Sequence, residues 1–132
     1  MADFYLKIKT NRMILKNLNN QKEMEIEGNF STSRLLIGDF YDAKFQLHTL
    51  LHQHGFLKGI KQIFECKHRV LVHPLEQSEG GLCSVEERIL QEVTHVSFKG
   101  RLKKVVIHQG EHLLSDTEAK AELNKRIIKK AA

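Results

Sequence analysis

Histidines, cysteines and a cluster of glutamates are the residues of this chain whose types invite chemistry. His48 and His52 stand four apart, a spacing that puts two imidazoles on one helix face, as two zinc ligands would stand. Between them lie Thr49, Leu50 and Leu51, so the glutamate of the H-E-x-x-H pattern is missing. Cys66 and His68 lie two apart and join a metal site only if the fold brings other ligands to them. We read these residues as a polar helix face and a strand start, with no metal and no cofactor expected. The two cysteines form no C-x-x-C pair, which points to free thiols in a reducing compartment. Cys83 is the more reactive of them, because it precedes a helix start whose amide dipoles lower a thiol pKa. Nucleophilic catalysis also needs a histidine held by a third group, and no spacing here supplies that set.

Glu76, Glu79, Glu86 and Glu87 surround Gly80-Gly81. Carboxylate pairs can do acid–base work, but Glu87 falls three residues after Ser84 and is assigned to a capping box with it. The glycine pair lacks the G-x-G-x-x-G or G-K-S/T surroundings of a phosphate loop. Glu76, Glu79, Gly80, Gly81 and Glu86 are therefore taken as an interaction surface for a protein partner. The net charge of +5 lies entirely in the last 38 residues. Lys99, Arg101, Lys103 and Lys104 form one group there, and Lys125, Arg126, Lys129 and Lys130 form the other. Such a bias suits an anionic ligand or a nucleic acid. Phe98 is the one aromatic residue in that neighbourhood, too few for base stacking, and solvated lysines at a helix end explain the charge more simply.

The elements that must position these residues follow from periodicity. Asp3–Thr10 alternates Phe4, Leu6 and Ile8 against Tyr5, Lys7 and Lys9, the period of a half-buried strand with the second set outward. Asn11-Arg12 turns the chain into a second strand at Met13–Leu18, and Asn19-Asn20 turns it into a third at Glu23–Glu27. Phe30–Gly38 is left open between loop and strand. From Phe40 the period changes: Phe40, Ala43, Leu47, Leu50, Leu51 and His54 make an amphipathic helix that Gly55 can end. Leu57, Ile60 and Phe64 suggest a further short turn. His68–His73 is a short apolar run of the kind buried on both faces of a parallel sheet. Ile89, Leu90 and Val93 mark a second helix, Lys104–His108 another strand, and Ser115 with Glu118 caps a last helix carrying Ala119, Leu123 and Ile127.

The order is β-β-β-α-β-α-β-α, which implies one α/β domain over residues 1–132 with a mixed sheet of ribonuclease-H-like or actin-like type. No run approaches the ~20 apolar residues of a membrane span, and the start has no signal-peptide core, so a cytoplasmic place is expected.

Two segments carry a family resemblance. Leu36-Ile37-Gly38-Asp39-Phe40 before a helix, and Val70-Leu71-Val72-His73-Pro74 leading to Ser84-Val85-Glu86-Glu87-Arg88, resemble the first subdomain of the bacterial actin homologue MreB. The whole chain, with Glu79-Gly80-Gly81-Leu82 and Val85-Glu86-Glu87-Arg88-Ile89-Leu90, more closely resembles small bacterial proteins of the YjaA type, which carry no defined activity. The actin resemblance implies a nucleotide site, yet the first hairpin turn is Thr10-Asn11-Arg12, without the acid and glycine that would hold metal-bound phosphates. The strand at Lys104–His108 leads into Gln109-Gly110, with Glu111 one place late for orienting water. Nucleotide hydrolysis is therefore not expected. What the resemblance leaves is a non-catalytic interaction or regulatory module, with a protein partner such as the actin-like cytoskeleton.

Overall fold

A computed structural model describes residues 2–55, 68–77 and 81–125. Leu57, Ile60, Phe64, Cys66, Glu79, Gly80, Arg126, Ile127, Lys129 and Lys130 lie outside the described residues. The elements run β1 (Asp3–Lys9), β2 (Arg12–Asn17), β3 (Glu23–Glu27), α1 (Phe40–Gln53), β4 (His68–Pro74), α2 (Ser84–Ser97), β5 (Leu102–Ile107) and α3 (Asp116–Asn124).

Asn11 tolerates the positive φ of 55° that the first hairpin needs, and its side chain is also tied down. Its Oδ1 accepts from the Ser31 amide at 2.8 Å, while its own amide donates to Ser31 Oγ at 2.9 Å. At the second turn Asn17 Oδ1 accepts from the Asn19 amide at 2.9 Å, and Gln21 takes the positive φ. β1 pairs antiparallel with β2, and β2 with β3, while β4 lies parallel to β1 and β5 parallel to β4. The five strands stand in the order β3-β2-β1-β4-β5. Phe30–Ile37 forms no strand; it is a loop whose Phe30, Leu36 and Ile37 are nevertheless buried.

The sheet is covered on both faces, unequally. Phe4, Leu6, Ile8, Met13, Leu15, Val70 and Val72 make the main core with Ala43, Leu47, Leu50 and Leu51 of α1 and Leu90 and Val93 of α2. On the other face Tyr5, Leu18 and Leu71 pack against Ala119 and Leu123 of α3. Tyr5 is thus a correction: alternation marks it as outward, but α3 closes over it and leaves it 2% exposed. β4 behaves as expected, with Val70 and Val72 on one core and Leu71 on the other.

Caps set the helix starts. Asp39 accepts from the Asp42 amide at 3.1 Å to begin α1. Ser115 and Glu118 form the expected capping box of α3. The box expected at Ser84 and Glu87 does not form. Cys83 occupies the N-cap position, so Ser84 is already helical and its hydroxyl is one residue too late.

Candidate functional site: the carboxyl edge of the sheet and the α1–α2 groove

In open α/β sheets ligands collect outside the carboxyl ends of the strands, where the strand order reverses direction. Here that point lies between β1 and β4, and of the expected acidic surface Glu76 stands there, two residues past the end of β4. Glu76 follows β4, and its carboxylate accepts the Thr10 amide of the first hairpin at 2.6 Å, a bond that holds it below the usual carboxylate range. Gln77 Nε2 donates to Thr32 O at 2.8 Å. After β5, Gln109 spans the gap to α2: its Oε1 accepts the Leu82 amide at 3.2 Å, and its Nε2 donates to Glu87. Gly81, at φ 86°, lies so close that a Cβ there would stand 3.3 Å from Gln109 Oε1. Glu86 accepts from the Cys83 thiol at 3.2 Å and lines a small apolar crevice with Leu35, Leu36, Ile37, Leu82, Ile89 and Leu90. Glu76 therefore braces the end of β4 to the first hairpin, whereas Glu86 holds Cys83, the N-cap residue of its own helix. Cys83, for its part, uses its thiol as a donor to that carboxylate.

The basic residues separate in the same way. Lys104 Nζ donates to Leu123 O at 2.6 Å and to Lys125 O, so it caps the carboxyl end of α3. Lys125 Nζ pairs with Glu122 at 2.6 Å. Lys103 is exposed on the edge strand β5, and the Arg101 carbonyl accepts the His68 amide. Lys99 ends α2 in the left-handed region, followed by Gly100 in the same region. The one-sided charge of the sequence thus goes partly into holding α3 in place.

Two constellations stand out that periodicity alone did not single out. The first is internal. Tyr5 Oη donates to His73 Nδ1 at 2.6 Å, His73 Nε2 donates to Gly110 O at 2.7 Å, and Tyr5 Oη accepts the Leu114 amide at 3.2 Å. The His108 ring lies edge-on to His73 at 4.8 Å. Burial first, then the charges of His108 and Lys7, hold the His73 pKa below the usual histidine value, against the opposing pull of the Gly110 bond. Burial likewise raises the Tyr5 pKa. The signal in the sequence was a tyrosine on the polar side of β1 and a histidine closing an apolar run.

The second constellation is on the surface. Tyr41, Phe45, His48 and His52 recur along α1 as a second stripe, off the buried one of Ala43, Leu47 and Leu50. Tyr41 is 79% exposed and Phe45 65%. With Val96 and Lys99 of the α2 end and Lys44 of α1, Tyr41, Phe45 and His48 line an open groove of about 440 Å³. The signal here was aromatic residues at i, i+4 outside the core-facing positions. His48 and His52 stand side by side as the spacing expects, with ring centroids 4.6 Å apart. His68 is buried, its Nδ1 accepting the Ala2 amide at 3.0 Å.

Against known proteins, the chain is 32% identical over 133 residues to the uncharacterised protein YjaA of Escherichia coli strain K12. The match takes in 96% of this chain and 100% of that one. The chain belongs to the YjaA family. No family model matches it. Among the described residues no helix is long and apolar enough to cross a membrane.

Proposed function

We propose that this YjaA-family protein is a non-catalytic interaction module that binds an acidic, apolar-sided segment of a protein partner in the groove between α1 and α2. The observation that carries this is the pair Tyr41 and Phe45, two large aromatics held in water on a rigid helix beside Val96. Exposed aromatic clusters of this sort are enriched at binding surfaces, where they supply contact area at small entropic cost. Charge chooses the partner: among the described residues Lys44 and Lys99 line the groove and no carboxylate does. The internal engagement of Glu76 and Glu86 and the pairing of Cys83 with a carboxylate support the absence of catalysis. The same scaffold supports the finer assignment to a ribonuclease-H-like or actin-like core. β2 runs antiparallel between β1 and β3, β4 and β5 run parallel to β1, and the helices α1 and α2 share one face.

Photo-crosslinking from position 96, which lines the groove and is untouched by either double variant, in bacterial lysate, with identification of the trapped peptide, tests this reading. The trapped peptide is expected to be rich in Asp and Glu, and capture is expected to fail in Y41A/F45A and in K44E/K99E. Capture unaffected by both double variants, or a basic peptide, would overturn it. Co-sedimentation with actin-like filaments asks whether the partner is that cytoskeleton. Both aromatics are exposed, so Y41A/F45A should hold folding stability within about 0.5 kcal/mol, and lost capture then reports on the surface.

A further inference from the structure

We infer that His48 and His52 of α1 form a two-imidazole chelate for a divalent late transition metal, copper above zinc. The two rings are one helical turn apart, at 4.6 Å between centroids and 68° between planes, close enough for both to reach one ion with small rotations of the side chains. His48 Nε2 is buried without a hydrogen-bond partner. A buried polar nitrogen with no partner is uncommon, and here its lone pair has no competing protein donor to displace.

The rest of the coordination falls to water. Among the described residues no group of three or more His, Cys, Asp or Glu comes together around such a point. Two nitrogens without a carboxylate favour ions that bond strongly to imidazole, which excludes calcium and magnesium and places copper(II) above zinc(II). Lys44 and Lys99 oppose the added charge and hold the affinity below that of a closed structural site. This inference stands on the histidine pair alone and is independent of what occupies the groove.

Calorimetric titration of the protein with copper(II) chloride and with zinc(II) chloride tests it, together with paramagnetic resonance of the copper-loaded protein. One ion per chain, copper tighter than zinc, and a resonance pattern from two imidazole nitrogens are expected. H48Q and H52Q should each weaken copper binding at least tenfold, because either leaves a single-donor site, while H95Q on α2 should leave it unchanged. Circular dichroism of both H48Q and H52Q guards against a folding defect. Affinity unchanged in both H48Q and H52Q, an equal loss in H95Q, or a single-nitrogen pattern would overturn the inference.

Discussion

Replacing Tyr5 with phenylalanine removes one oxygen and nothing else from a site that is 2% exposed. That oxygen joins three parts of the chain: it sits on β1, donates to His73 Nδ1 on β4 at 2.6 Å, and accepts the Leu114 amide at 3.2 Å just before α3. The ring stays, so no cavity opens and the packing on Leu71 and Ala119 is retained. The cost is therefore that of two lost bonds with their partners left behind. His73 is fully buried, so leaving its Nδ1 without a partner costs about 1–3 kcal/mol, while the longer Leu114 bond adds about 1 kcal/mol. We expect Tyr5→Phe to lower stability by about 3 kcal/mol in urea unfolding followed by circular dichroism, with an unchanged slope. The second arm is the double variant Tyr5→Phe/His73→Leu. With neither polar partner present, His73→Leu should cost much less in the Tyr5→Phe background than in the wild-type one, a coupling of at least about 1 kcal/mol. A single-variant loss below about 0.5 kcal/mol, or strictly additive effects, would show that the network does not hold β1, β4 and the approach to α3 together.

The pH dependence follows from the same group. Burial lowers the folded-state pKa of both His73 and His54 below the ordinary 6.5. The unfolded chain therefore binds more protons, and stability, complete above about pH 6.5, should fall as pH drops through 6.5 toward the folded-state values. Urea midpoints between about pH 8 and pH 5 check this, and a flat profile would count against neutral buried imidazoles. Arg69 grips Asp3 with two bonds of 2.8 and 2.7 Å and reaches Asn124 Oδ1 at 2.7 Å. Arg69→Ala should cost about 2–4 kcal/mol and expose the α3 end to hydrogen exchange before the rest of the sheet. Ser115→Ala should cost about 1 kcal/mol through its lost cap, whereas Ser84→Ala should stay within about 0.5 kcal/mol. Equal costs at the two serines would contradict the cap assignment.

Local pattern carried much of this fold. Strand alternation at Phe4, Leu6 and Ile8, the change of period at Phe40, and the spacing of Ser115 and Glu118 are each patterns written within a short stretch of chain. Such signals are legible because local backbone geometry alone sets the spacing of residues that share a face or a cap. The doubly covered, parallel character of β4 was also implied by its unbroken apolar run, while its neighbour β1 was given only by the structure. What tertiary structure alone decided concerns residues whose partners lie far away. Tyr5 reads as outward until α3 packs over it from more than a hundred residues later. Lys104 reads as surface charge until the last turn of α3 presents its carbonyls. Glu76 reads as part of an open acidic loop until the first hairpin offers an amide. Ser84 reads as a cap, but the helix begins one residue earlier in phase, a shift that side-chain spacing cannot resolve. The α1–α2 groove is of the same kind, since Tyr41 and Phe45 are one helix face until Val96 and Lys99 arrive beside them. A side chain's role is set by the groups that reach it, and sequence distance hides those that come from another layer of the fold.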